Sequence, residues 1–188
     1  MIAVSRRRAT YQDILDLPEN VIGEILDGEL HVQPRPAVPH ARAGSALGAL
    51  LGGPFDYGRD GPGGWVILDE PELHLGRDPD VLVPDLAGWR RARMPEVPST
   101  PAITLAPDWA CEILSPSTAK VDRTKKLQIY AREGVGHVWF IDPTLKILEI
   151  LRLESTRWTL VATHADDAKI RAEPFEAIEL DLAPLFSR

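Results

Sequence analysis

The spacing of apolar and polar positions changes period several times along the chain, and each change marks an element. "TYQDILDLP" predicts a short helix, with Thr10 as its cap, Asp13 in its first turn and Pro18 closing it. "VIGEILDGELHV" then alternates on both sides of Asp27-Gly28, the pattern of a β-hairpin. Beyond the proline-rich "QPRPAVPH", "HARAGSALGALLGG" predicts a helix with Leu47, Leu50 and Leu51 on one side and Gly52-Gly53 ending it. The short apolar runs "WVILDE", "ELHLG" and "DVLVPDLAGW" predict strands. The stretch "RRARMPEVPSTPAITLAP" predicts an exposed loop, the most mobile segment of the chain.

The most informative pattern begins at Asp108. "DWACEILS" is an apolar run of strand length, and "STAKVDRTKKLQIYAREG" has helical spacing, with Leu127, Tyr130 and Ala131 on one stripe and Gly134 at its end. "GHVWFIDP" is a second apolar strand stopped by Pro143. Strand, helix and strand in so short a span predict a right-handed crossover between two parallel strands. "LKILEILRLE" and "RWTLVATH" predict a hairpin at the sheet edge, and "FEAIELDLAPLF" a cap on the core. The expectation is a mixed α/β (α+β) fold, with antiparallel hairpins around a central parallel pair.

Composition narrows the class. The 188 residues suit a single domain, 1–188, and 44% apolar with 26% charged residues is the balance of a soluble globular protein. No apolar run is long enough to span a bilayer, and no secretory apolar region follows the basic N-terminus. The single cysteine, Cys111, excludes an internal disulfide framework and fits a cytoplasmic setting, and five scattered histidines argue against a Cys/His zinc site. The net charge of −7 opposes nucleic-acid binding in general. The basic residues nevertheless cluster, at Arg6, Arg7 and Arg8, at Arg90, Arg91 and Arg93, and at Lys120, Arg123, Lys125 and Lys126. The ordinary reading of each cluster is a solvated surface.

Three carboxylates interrupt apolar strand candidates: Glu24 in "VIGEIL", Asp85 in "VLVPDLAGW" and Glu112 in "WACEIL". A buried carboxylate must be paired or bind a cation. For each there is an innocent alternative: Glu24 alternates outward, Asp85 follows a proline in a turn, and any single acid can face solvent. Glu112 resists that reading, because Cys111 and Ile113 flank it. Converging carboxylates would attract a hard cation, magnesium or manganese. Lys126 shares a helix face with Asp122 and Tyr130, at four-residue spacing, and the crossover can aim it at Glu112; the alternatives are an exposed lysine or a pair with Asp122. Lys125 is expected to face solvent.

The run "EILSPSTAKVDRTKKLQIYAREGVGHVWFIDP", with "VPDLAGW" and "GEILDGEL" upstream, closely resembles the Uma-two family of restriction-endonuclease-like proteins, a branch of the PD-(D/E)XK nucleases. The resemblance extends from "TYQDILDLP" to "WFIDP" and implies a restriction-endonuclease-like fold. It implies Asp85 as the Asp of the PD motif and Glu112 as the acid of the (D/E)XK half-motif. The lysine expected two residues later is absent, since that position is Leu114. Lys126 matches a lysine displaced onto the next helix, Glu24 matches an acid of the N-terminal hairpin, and His40 falls where the family often has a histidine.

What the resemblance implies is a magnesium- or manganese-dependent endonuclease cutting DNA, with Asp85, Glu112 and the Ile113 carbonyl as metal ligands and Lys126 and Glu24 completing the site. Replacing Asp85 or Lys126 by Ala would then abolish cleavage and leave the fold intact. A homodimer is expected, with Trp89, Trp139 and Trp158 as candidate apolar surface, although the core is the ordinary place for each. Two other readings stay open: an inactive nuclease-fold binding or assembly module, and a small-molecule phosphodiesterase on the same site.

Overall fold

The computed structural model describes residues 7–187. The N-terminal helix α1 (Tyr11–Leu15) forms because the Asp13 carboxylate folds back onto the Thr10 backbone N–H, at 2.7 Å. Arg6 of the first basic cluster lies outside the described residues. The hairpin turns at Asp27-Gly28, as its pattern predicts, and joins β1 (Val21–Leu26) to β2 (Glu29–Pro34). Both turn residues have positive φ, +52° and +80°, which an Asp-Gly pair tolerates.

Helix α2 (Val38–Leu51) buries Ala43, Ala46, Leu47 and Leu51. It does not end at Gly52-Gly53 as expected: Gly52 keeps right-handed helical angles, and a π-helical turn carries the chain on through Gly52–Asp56. Glycine permits a helix end without imposing one, and burial of Phe55 favours continuing the turn.

Four short strands follow: β3 (Trp65–Asp69), β4 (Leu73–Leu75), β5 (Asp80–Leu82) and β6 (Leu86–Arg90). The run "DVLVPDLAGW" is therefore two strands, and they belong to different sheets. β5 pairs with β1 and β4, whereas β6 pairs with β3 and β7 (Trp109–Ile113). The break falls at Val83-Pro84-Asp85, where proline offers no ladder donor.

Among the described residues the strands form a four-stranded sheet, β2-β1-β5-β4, and a six-stranded sheet, β10-β9-β8-β7-β6-β3. The N-terminal hairpin and the central strands thus lie in different sheets. The parallel pair is as predicted: β7 runs parallel to β8 (His137–Asp142), joined through α3 (Ala119–Val121), a π-helical turn (Asp122–Lys126) and α4 (Leu127–Arg132). The edge hairpin also forms, from β9 (Ile147–Glu154) and β10 (Arg157–Ala165).

The six-stranded sheet has two apolar faces. Trp109, Cys111, Ile113, Trp139 and Ile141 pack beneath α2 and the C-terminal segment, whose Phe175, Leu180, Leu182 and Leu185 are buried as the tail pattern predicts. Trp89, Ala110, Val138 and Phe140 meet Leu26, Leu73, Leu82, Ile129 and Tyr130 from the smaller sheet and the crossover helix. A short third sheet pairs β11 (Lys169–Ile170) with β12 (Leu180–Asp181), and α5 (Ala183–Phe186) closes the described chain. Trp89 and Trp139 are fully buried, so they offer no surface to a second copy. The loop after β6 is anchored as well: Met94 and Ile103 are buried, and Ile103 exchanges backbone hydrogen bonds with Glu72 and His74 at 2.9 Å. These ties fix two points of a segment that is otherwise largely exposed, as expected.

Gly88 is the tightest point of the larger sheet. A Cβ there would lie 3.1 Å from the Trp109 ring and 3.3 Å from the Trp65 ring. Neither ring has room to move, since both are wholly buried. Gly88→Ala should therefore destabilise the fold by about 1–3 kcal/mol, read as a lower urea midpoint at unchanged slope.

Candidate functional site

The break between β5 and β6 puts a carboxylate where the two sheets part. β6 pairs antiparallel with β7 in the register Leu86 to Cys111, so one further step sets Asp85 opposite Glu112. The Ile113 N–H donates to Asp85 Oδ2 at 2.6 Å, fixing the side chain across the strand end. Asp85 is thus a linker residue, not a strand residue, because Pro84 interrupts the ladder just before it.

Glu112 lies on the face of β7 opposite Cys111 and is 2% exposed. Both its oxygens are taken: Oε2 accepts from Lys126 Nζ at 2.7 Å and Oε1 from the Tyr130 hydroxyl at 2.5 Å. The Lys126 ammonium also lies 3.1 Å from Glu24 Oε1 and 3.6 Å from Asp122. Glu24 does not alternate outward; it is buried, and its Oε1 accepts the Val83 N–H at 2.8 Å, two residues before Asp85. Both open readings of Lys126 hold in part: it pairs with Asp122 and it points into the site.

The helix carrying Lys126 forms a π turn at Asp122–Lys126, which widens the backbone where three of its side chains converge. Lys125 is corrected from solvent-facing to partnered, since its ammonium contacts Glu29 and lies 3.2 Å from His31 on β2. Arg132 adds a second tie, to Asp27 at 3.0 Å and to buried Asp80. These ties hold the hairpin bearing Glu24 against the helix bearing Lys126.

The electrostatics follow from burial. Burial pushes the Glu112 carboxyl well above its ordinary range, against the opposing pull of Lys126, and it raises Asp122 likewise. Burial alone would pull Lys126 down. The fields of Glu112, Glu24, Tyr130 and Asp122 outweigh it and hold the ammonium well above its ordinary value.

His40, the third residue of α2, lies 3.2 Å from Asp85 Oδ1. Burial would lower its imidazole; the Asp85 carboxylate and a hydrogen bond to the Ile113 backbone prevail and raise it. Asp85, Glu112, Asp122, Lys126 and His40 line one cleft of about 250 Å³.

The three acids and one lysine expected from the sequence therefore meet in one place, joined by Asp122. Sequence reasoning placed Asp122 and Tyr130 on the right helix face but did not assign them to the site. Tyrosine on an apolar stripe was the available signal, because a buried hydroxyl needs a partner.

Asp85 and Glu112 suit a hard divalent cation, as carboxylate oxygens that keep lone pairs beyond their present hydrogen bonds. Among the described residues no group of three or more His, Cys, Asp or Glu side chains is disposed as a metal cage. Asp85, Glu112 and Ile113 line the same cleft. Three carboxylates around a single lysine leave an excess of buried negative charge, which a cation would relieve.

No helix among the described residues is long and apolar enough to cross a membrane. No curated protein matches the chain. Among solved structures, the chain is similar to a crystal structure described as "a putative nuclease belonging to DUF820 from Anabaena variabilis ATCC 29413", determined at 1.96 Å. The TM-score is 0.73 at 24% identity, over 95% of this chain and 97% of that one, so the two share a fold. A family model, Uma2, described as "Putative restriction endonuclease", matches residues 9–183, and the chain belongs to that family.

Proposed function

We propose that this protein is a metal-dependent endonuclease that hydrolyses phosphodiester bonds of DNA. The observation that carries the reading is the pairing of Asp85 with Glu112 across the end of β6 and β7, with buried Lys126 held on Glu112 at 2.7 Å. Family membership and the nuclease-type fold support it.

Asp85, Glu112 and the Ile113 carbonyl would hold magnesium or manganese. Bound there, the cation would supply polarisation of a phosphoryl oxygen and a lowered pKa for an attacking water. The chain's own residues do the positioning. Tyr130 and Lys126 fix both oxygens of Glu112, the Ile113 N–H fixes one oxygen of Asp85, and Glu24 keeps the lysine in place through Val83. Burial raises the Glu112 carboxyl, and the lysine charge opposes that rise.

A small phosphodiester substrate is the second reading. It is favoured by the state of the surface arginines: Arg91, Arg93 and Arg123 are each paired with a carboxylate, and Arg90 lies over the Trp65 ring. Cleavage of both strands of a duplex would call for a second copy, and a cytoplasmic setting fits the lone buried Cys111.

The test is a panel of single- and double-stranded DNA, RNA and a small phosphodiester ester, each incubated with magnesium, with manganese and with chelator, alongside calorimetric titration of the two cations. DNA cleavage that chelator abolishes is expected. Absence of both cation binding and cleavage would refute the proposal, and turnover of the small ester alone would favour the second reading.

A further inference from the structure

If the site cuts a phosphodiester, something in the cleft must receive the phosphate, and the buried lysine is poorly placed for it. Lys126 is 1% exposed and lies within 3.6 Å of three carboxylates, which neutralise its charge from inside the protein. His40 is engaged with Asp85. Asp85, Glu112 and Asp122 make the remaining charged wall acidic, so an entering phosphate meets repulsion on most sides.

Arg35 is the third cation lining this cleft, and its circumstances differ from those of the other two. Its side chain is 59% exposed, and its carboxylate contact, Glu70, lies 3.8 Å away. A second contact, to the Glu19 carbonyl, is 3.4 Å. Compact, short ion pairs hold Arg7, Arg91 and Arg93 by comparison, at 2.6–2.9 Å.

The backbone under Arg35 is rigid. Pro34 ends β2 in register with Val21, Pro36 follows immediately, and α2 starts two residues later at Val38. Two prolines fix φ on both sides, so the guanidinium is presented at the mouth on a stiff arm. Glu70 is mounted opposite, in the turn after β3, where φ is +43° and its N–H donates to the Asp85 carbonyl at 3.1 Å. The loose Arg35–Glu70 pair therefore bridges the cleft mouth from the β2–α2 arm to the segment that carries Asp85.

The geometry points to Arg35 as the residue that contacts a substrate phosphate, with Glu70 as an internal anion that occupies the guanidinium until the phosphate displaces it. This rests on the nuclease reading of the same cleft. A guanidinium presents a planar fork of donors that suits two phosphate oxygens, and a long, exposed pair with a carboxylate is easily exchanged for that geometry. Glu70 then lowers affinity for phosphates generally and gives the mouth a threshold that a weakly held anion does not cross.

The experiment measures binding of a fluorescein-labelled DNA duplex by anisotropy, with calcium in place of magnesium, at several salt concentrations. Proteins compared are the wild type, Arg35→Gln, Glu70→Gln and the double variant, and KM for DNA cleavage is measured in manganese. Arg35→Gln should weaken binding several-fold, raise KM much more than it lowers kcat, and reduce the salt slope by about 1. Glu70→Gln should tighten binding in the wild-type background and have no effect once Arg35 is gone. An unchanged affinity and slope for Arg35→Gln would overturn the inference, and so would equal tightening by Glu70→Gln in both backgrounds, which would be simple removal of a negative charge. If the wild type cleaves DNA and Arg35→Gln keeps its KM, the Arg35 inference alone fails. If the wild type neither binds nor cleaves, the nuclease reading fails and takes this one with it.

Discussion

Asp85→Asn should abolish metal-dependent cleavage, by about three orders of magnitude or more, while the protein still melts close to the wild type. Stabilisation by a bound cation of the charge developing on a phosphate is worth several kcal/mol, and each 1.36 kcal/mol is a decade in rate. Asn keeps the volume of Asp and one acceptor for the Ile113 N–H, now 2.6 Å from Asp85 Oδ2. What it removes is the negative charge opposite Glu112. Asp85 is also 18% exposed in a linker, and Pro84, not its side chain, sets the break between β5 and β6, so the sheets do not depend on its charge. Single-turnover cleavage in manganese, with a thermal melt of the same preparation, reads both halves. Cleavage within tenfold of the wild type would remove Asp85 from the chemistry. Calorimetry supplies an independent check, since the variant should lose its manganese binding heat even where no substrate is present.

The parts of the site that could be read in the sequence are those where one residue breaks a local pattern. Glu112 stands out because apolar residues surround it in a run that becomes a strand buried on both faces. Lys126 was legible through a four-residue spacing, although the π turn under it has no sequence signature. What could not be read depends on pairing between distant segments. "DVLVPDLAGW" looks like one strand, and only the partners of its two halves, β1 and β7, divide it between sheets. Glu70 is an ordinary loop residue until the fold ties its N–H to the Asp85 carbonyl, and His40, marked only by the resemblance, gains its partner Asp85 in the same way. The basic clusters were legible as clusters, but their partners were not: Asp56, Asp108 and Glu149 come from separate elements and engage Arg91, Arg93 and Arg123. This pairing shows how an acidic chain can display arginine-rich segments with little free positive surface.

Lys126→Ala is expected to lower the unfolding free energy by about 3–5 kcal/mol, where the sequence alone suggests an intact fold. The reason is geometric. The ammonium is nearly inaccessible and sits among Glu112, Glu24 and Asp122, so its removal strands three buried carboxylates and opens a void between them. For a chain of this length that corresponds to a fall in Tm of roughly 6–20 °C. Removing the charges together should be far less harmful: Lys126→Met combined with Glu112→Gln and Glu24→Gln should recover much of the loss, because breaking one partner of a buried pair costs more than replacing both. The pH dependence has a fixed sign. Glu112 is already raised by burial against the lowering influence of Lys126, so loss of the lysine raises its folded pKa further above the unfolded value. The folded variant then binds more protons than the unfolded chain between those two values, and its stability rises as pH falls towards the unfolded pKa of Glu. The deficit of Lys126→Ala relative to the wild type should therefore be largest at alkaline pH and shrink on acidification. Urea titrations at pH 8 and pH 5.5 measure it. A deficit under about 1 kcal/mol at pH 8 would mean that water reaches the site and screens the carboxylates, and Lys126 would then be a surface charge that loses nothing by removal.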